Sequence, residues 1–407
     1  MPSTPLRKTF ISLRNRNFRL FFIGQSISNT GNWLTNVALV LLVLRLTSSG
    51  LAVGGVLACQ YGPILFLSPF GGAIADRVDK RRALLATQAL EMMQSVGLAV
   101  LAFLPHPPLV GLYGLAAAGG MVLSLDNPLR RSFVSEMVPE TDLPNAIVLY
   151  STIVNISRVF GPALAGLLAV TLGYGWCFAI DASTYVAVLY CVWVMNPDEL
   201  HRTPAPPRAK GEVREGIRYI LATPMLWISF SMLAAIGTLS YNFNVTLPLF
   251  VTRSLHRSEG VFTILYSIFS VGAVVSALII ARRGKVQLSQ IVFGAASMGI
   301  AMLLLSATRG IATAMPAAFL VGMASILYMT STTAIVQVGT KRELQGRLLA
   351  LQTVFVAGTG LIGGPLCGWL ADVAGGRAPI VFGGVVCLLA AGFGLVAARR
   401  TRSEAPA

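Results

Sequence analysis

Apolar stretches of about 20 residues or more recur along nearly the whole length of this 407-residue chain. A helix needs about 20 apolar residues to cross the hydrocarbon core of a bilayer, and its backbone groups must be satisfied within the helix itself. We therefore predict an all-α integral membrane protein with twelve transmembrane helices. The stretches run near residues 18–46, 50–75, 84–104, 109–130, 145–171, 175–195, 225–251, 261–281, 287–308, 311–338, 348–374 and 379–398.

The composition is that of a protein whose solvent is lipid. Only 12% of the residues are charged, whereas a soluble domain carries roughly 25%, and the mean hydropathy is +0.72. All five cysteines lie in apolar runs without a C-x-x-C pair, so we expect packing residues, with neither a disulfide framework nor a zinc site. The three histidines fall in loops, and the sequence predicts no enzyme activity, no metal and no cofactor.

The net charge of +15 would suggest a nucleic-acid partner in a soluble protein. Here 25 of the 31 Lys and Arg residues lie in the two tails, the central linker and alternate loops, and five lie in the remaining loops. Cytoplasmic loops carry such an excess of basic residues. The distribution predicts a multi-pass protein of the cell membrane with both termini in the cytoplasm, and it removes the reason to expect nucleic acid.

The two halves of the chain resemble each other. Residues 161–166 (GPALAG) recur loosely as residues 364–368 (GPLCG), with the prolines 203 residues apart, or half the chain. Two six-helix halves with a site at their interface are typical of secondary transporters. We predict an N-terminal bundle, a cytoplasmic linker that ends in an interfacial helix, and a C-terminal bundle. Their bounds are 1–195, 196–224 and 225–407.

Residues 72–82 (GAIADRVDKRR) close the second apolar stretch. They resemble the signature that the major facilitator superfamily carries between its second and third helices, although Asp79 stands where that pattern usually has glycine. The resemblance implies a cytoplasmic gate, in which Asp76 meets the start of the eleventh helix and Arg130 is its charge partner. The residues expected to gate are Gly72, Asp76, Arg77, Arg81, Asp126, Arg130 and Arg347.

Further blocks resemble one branch of that superfamily, which holds drug:proton antiporters and enterobactin-type siderophore exporters. These are residues 126–130 (DNPLR), 143–146 (LPNA), 155–166 and 343–347 (ELQGR). Gly161, Pro162 and Gly166 also resemble the antiporter motif of helix five, although a purely structural kink remains an alternative. The resemblance implies alternating access and export in exchange for protons.

Polar residues recur on single faces of the apolar stretches. Those in the first stretch follow the spacing i, i+4, i+7 and i+11, which places them in one stripe of a helix. Such a stripe faces either a substrate cavity or a partner helix through hydrogen bonds, and the sequence leaves both open. The candidate cavity residues are Gln25, Asn29, Asn32, Asn36, Asn155, Asn242, Asn244 and Tyr328.

Ionisable residues at membrane depth are costly and are functional candidates by default. Glu91, Asp181 and Arg158 are therefore the candidates for proton coupling. Related transporters often carry an acid in the first helix, where this chain has Asn32, so we favour Glu91 as the proton site. A structural ion pair between Glu91 and Arg158 remains an alternative. Asp126 is expected at the cytoplasmic rim.

We therefore interpret the chain as a proton-coupled exporter of amphipathic small molecules, drugs or siderophore-like metabolites, acting in the bilayer as a monomer. A lipid or metabolite carrier of the same fold is the first alternative. A non-transporting membrane receptor or scaffold is the second, and it would favour an added soluble domain, which the sequence does not show.

Overall fold

The computed structural model describes residues 10–75, 77–201, 212–281, 287–340, 344, 348–349, 351–352, 355–356 and 359–403. Within these residues the chain is largely helical and contains no β-strand. Eleven of the described helical segments are long and apolar enough to cross a membrane, and Gly360–Ala374 is a shorter apolar helix. Twelve membrane helices fit this pattern, which confirms the predicted fold class.

Six long helices follow one another in the first half of the chain, separated by short connections. Asp79 caps α3 by accepting the backbone N–H of Arg82 at 3.0 Å. Its φ is −64°, so this position does not need the glycine of the superfamily signature. The bounds are α1 Arg16–Thr47, α2 Gly50–Ala75, α3 Lys80–Phe103, α4 Leu109–Glu136, α5 Leu143–Thr171 and α6 Tyr174–Trp193.

The second half begins with the amphipathic helix expected at the end of the linker. The next crossing, Pro224–Ser254, is broken near Asn242 and ends in a π-helical turn after Pro248, a residue that cannot donate a backbone hydrogen bond. The bounds are α7 Glu212–Ala222, α8 Pro224–Leu239, α9 Phe243–Leu249, α10 Glu259–Ala281, α11 Leu288–Ala307, α12 Ile311–Val338, α13 Gly364–Ala374 and α14 Ala378–Ser403.

The chain forms two compact units. The first comprises Met1–Leu42 and Cys59–Pro207, and the second comprises Val43–Ala58 and Arg208–Ala407. The end of α1 and the beginning of α2 therefore belong to the second unit. The bundle boundaries expected from the sequence, 1–195 and 225–407, stay a prediction.

Within the second unit, glycines let α2 and α13 pack backbone to backbone. A Cβ on Gly54 would overlap the backbone of Gly364, and a Cβ on Gly368 would overlap that of Gly50. Small residues spaced by four allow such close helix crossings in membranes. The repeated motif at residues 364–368 thus has a packing role.

Candidate functional site

Three charged side chains and one amide meet inside the first unit, and we call Gln25, Glu91, Asp126 and Arg130 the charged cluster. Arg130 of α4 forms an ion pair with Glu91 of α3, with 2.9 Å between Nη2 and Oε2, and a second one with Asp126. Its Nη1 donates to Oε1 of Gln25 in α1 at 3.0 Å. All four side chains are buried, with Asp126 fully so. Three helices are therefore tied together by a single guanidinium group.

The local sequence explains how Glu91 and Asp126 both contact Arg130. Asp126 and Arg130 are four residues apart, so they lie on the same face of α4. In α3, Gln88 lies one turn before Glu91, and its amide donates to Oε2 of Glu91 at 3.1 Å and to Oδ1 of Asp126 at 2.9 Å. Thr87 donates to the same Asp126 oxygen at 2.7 Å. The donors hold both carboxylates in place beside Arg130.

The structure bears on two expectations about this cluster. Asp126, expected at the cytoplasmic rim, is fully buried within the protein, and its depth in the membrane stays a prediction. The alternative pair of Glu91 with Arg158 does not form, since Glu91 pairs with Arg130. The spacing of Asp126 and Arg130 could have revealed their pairing, whereas the contact of Arg130 with Glu91 depends on how α3 and α4 pack.

Asp181 of α6 lies in a separate polar site of the first unit. Its Oδ2 accepts hydrogen bonds from the hydroxyl groups of Thr35 at 2.6 Å and Ser95 at 2.7 Å. Its Oδ1 faces Gly31 of α1 so closely that a Cβ there would collide with it. Asp181 thus occupies the space beside the segment of α1 where related transporters often carry an acid.

A small cavity of about 20 Å³ is lined by residues of both acidic sites. A space of this size holds about one water molecule and is far too small for a drug-sized ligand. Among its walls are Asn32 and Asn36, two of the four candidate residues of α1. The Asn36 amide donates to Oδ1 of Asn32 at 2.6 Å, and Gln60 of α2 donates to Oδ1 of Asn36 at 2.8 Å. The walls include Asn32, Asn36, Gln60, Glu91, Asp181 and Tyr185.

The polar stripe of α1 therefore divides in two. Gln25 belongs to the charged cluster and accepts a hydrogen bond from Asn29 at 3.3 Å, whereas Asn32 and Asn36 line the cavity. One part of the stripe joins helices, whereas the other faces a water-sized space, and the substrate cavity expected from the sequence stays a prediction. The side chain of Asn155 lies outside the described residues.

Arg158 of α5 lies over the ring of Trp33 in α1, with 5.7 Å between its guanidinium carbon and the ring centroid. The same two helices touch again where the hydroxyl groups of Thr30 and Ser157 lie 3.3 Å apart. Gly161 permits this approach, since a Cβ there would collide with the side chain of Trp33. Gly161 therefore has a packing role, next to the helix-interior Pro162 and the buried Gly166.

The basic residues after α2 have distinct surroundings. Arg77 is exposed, whereas Arg81 donates to the backbone carbonyls of Val192 at 3.0 Å and Trp193 at 2.5 Å at the end of α6. A cation at a helix C-terminus stabilises the helix. Asp76 and Arg347 lie outside the described residues, as do the surroundings of Gly72, so the gate expected there stays a prediction.

Two of the polar candidates of the second unit form hydrogen bonds with their own neighbours. Asn242 donates to the carbonyl of Thr238 at 2.9 Å, and Asn244 accepts from the hydroxyl of Tyr266 at 2.8 Å. Tyr328 is buried. Nothing in these contacts assigns them to a substrate site.

One contact of the second unit, between Asp372, Arg253 and the beginning of α2, could not be predicted from the sequence. Asp372 accepts the backbone N–H groups of Gly50 at 2.7 Å and Leu51 at 2.8 Å, and so caps α2. Arg253 pairs with Asp372 at 2.7 Å and donates to the carbonyl of Ala371 at 2.9 Å. These groups are far apart in sequence, and no local pattern joins them.

The eleven described helices that are long enough to cross a membrane, the shorter apolar helix and the buried ion pairs fit a polytopic membrane protein of the major facilitator fold. The family model described as Transmembrane secretion effector matches residues 7–405, and the chain belongs to that family. The family and its relatives are transporters, which confirms the resemblance and the expectation that the chain is not an enzyme.

Two relatives are exporters or transporters of siderophores by name. The chain is 24% identical over 390 residues to the Enterobactin exporter EntS of Salmonella choleraesuis, covering 93% of this chain and 89% of that one. It is 25% identical over 296 residues to the Staphyloferrin A transporter of Staphylococcus aureus, covering 69% and 73%. The crystal structure of the POT family transporter PepTSo superimposes with a TM-score of 0.80 at 12% identity, covering 96% and 99%, which shows a shared fold.

Proposed function

We propose that this protein is a secondary active exporter that moves an amphipathic, siderophore-like small molecule out of the cell by alternating access, in exchange for protons. The names of the relatives support the substrate class. The observation that carries proton coupling is the charged cluster, in which two acids face one base in the apolar interior. We place the protein in the cell membrane as a monomer, with both termini in the cytoplasm.

Glu91 is the acid of the cluster that is placed to exchange a proton. Asp126 is engaged by Thr87, Gln88 and Arg130, whereas Oε1 of Glu91 has no hydrogen-bond partner in the described part of the chain, and Glu91 also lines the water-sized cavity. With both acids ionised the cluster carries one excess negative charge, and one proton makes it neutral. Since an uncompensated charge is costly at this depth, proton uptake and the ion pairing of Arg130 are linked.

Protonation of Glu91 would weaken the ion pair of the charged cluster that joins α3 to α4. Arg130 then keeps Asp126 on its own helix and loses its charged partner on α3. The packing of α1, α3 and α4 therefore depends on the proton. A change of packing that follows protonation is what an antiporter needs to link proton entry to a change of access.

A deletion strain tests the function in the cell. We expect the strain to retain siderophore or to become hypersensitive to amphipathic drugs, and the wild-type gene to restore export. The matched control is the same gene with Glu91→Gln, which should be inserted in the membrane but should not restore export against a concentration gradient. Normal siderophore release together with normal drug resistance in the deletion strain would remove the proposed export function.

A further inference from the structure

Arg158 is a cation in the middle of α5 for which the described residues provide no acid. The acids that could have paired with it are engaged elsewhere, Glu91 by Arg130 and Asp181 by hydroxyl groups. Nε of Arg158 is buried and has no hydrogen-bond partner among the described residues, and the side chain as a whole is half-buried. An unpaired charge at membrane depth is retained at a cost, and such residues mark substrate or ion paths.

Arg158 contacts an aromatic ring of α1. Trp33 covers one face of the guanidinium group, and Gly161, one turn further along α5, lets Trp33 approach the helix. Stacking on an aromatic ring holds a guanidinium group without consuming its hydrogen bonds. The planar edge of Arg158 therefore stays available for a ligand oxygen.

We infer that Arg158 is the anion-binding group of the transport path, and that the substrate class is amphipathic organic acids, with a carboxylate beside an apolar body. This inference rests on the proposed export function. A guanidinium fork binds a carboxylate through two parallel hydrogen bonds, which a neutral or cationic compound cannot offer. Trp33 provides the apolar contact for the body of the same ligand.

Equilibrium binding to the purified full-length protein in detergent tests this assignment. The probes are dansylglycine, a fluorescent carboxylate with an apolar ring system, and its neutral primary amide. We expect the wild type to bind the carboxylate about tenfold more tightly than the amide. A difference of about tenfold in affinity is what one charge-assisted hydrogen bond contributes. Arg158→Gln should abolish this preference, and Arg158→Lys, which keeps the charge but loses the fork, should retain part of it.

Arg131→Gln removes the same charge from an exposed position of α4 and should leave the preference unchanged. Equal affinities of the wild type for the two probes, or no binding of either, would overturn the inference without requiring any variant to fold. A preference that persists in Arg158→Gln would overturn it as well. Because no proton gradient is present, the result is independent of coupling, and a failure of the proposed exchange mechanism would show only in flux experiments.

Discussion

In the first unit, the position of a side chain depends on the room left by its neighbours as much as on its charge. Gly31 illustrates this, because its missing side chain leaves the room that the carboxylate of Asp181 occupies. The sequence shows only that α1 has no acid there. Which helix provides the nearby carboxylate depends on the packing of α6 against α1.

Gly31→Ala should therefore destabilise the protein. The added methyl group would collide with Asp181 and Thr184, and overpacking a filled site costs about 1–3 kcal/mol. Thermal unfolding in detergent measures the effect as a lowered midpoint. Gly114→Ala in α4 is the matched control, because a Cβ at Gly114 meets nothing within 4 Å. Equal midpoints for the two variants would contradict the close contact at Gly31.

Whole elements are held by contacts that join distant parts of the chain. The beginning of α2 is capped by Asp372 and packed on α13 through glycines. Asp372→Ala should loosen the first turn of α2 by about 1 kcal/mol, the usual effect of losing a helix cap. Hydrogen exchange of peptides covering residues 48–56 should become faster in this variant.

The control for this cap is Asp372→Asn, which keeps an oxygen for the backbone of α2 but loses the charge that faces Arg253. Its exchange should lie between those of the wild type and Asp372→Ala. Unchanged exchange in Asp372→Ala would mean that the glycine packing alone holds α2.

The elements themselves could be predicted, whereas most of the site could not. The length of the apolar stretches predicted the membrane helices, because in lipid each spanning segment must form the hydrogen bonds of its backbone within itself. The ion pair of Asp126 and Arg130 can be recognised in the sequence, because the two residues are four positions apart on one helix, although we expected Asp126 at the cytoplasmic rim. The contact of Arg130 with Glu91 and the isolation of Arg158 depend on helix rotation and packing, which hydropathy does not encode.

At the scale of the whole molecule, the orientation in the membrane stays a prediction from the basic residues. Cysteines introduced at His106 and Glu140, both exposed, should report opposite sides. Replacing Cys59 with Ser first removes the least buried native cysteine. An impermeant maleimide added to intact cells should label position 106 alone, and position 140 only after permeabilisation. The reverse pattern would invert the topology.

Transport by the whole molecule depends on Glu91 if the charged cluster couples substrate to protons. The direct measurement uses proteoliposomes with an imposed pH gradient, in which substrate movement and proton counterflow are recorded for the wild type, Glu91→Gln and Asp181→Asn. We predict that Glu91→Gln still binds and equilibrates substrate but loses accumulation and proton flux, while Asp181→Asn remains coupled. If Glu91→Gln concentrates substrate against its gradient with normal proton flux, Glu91 is a packing residue and the coupling mechanism is wrong.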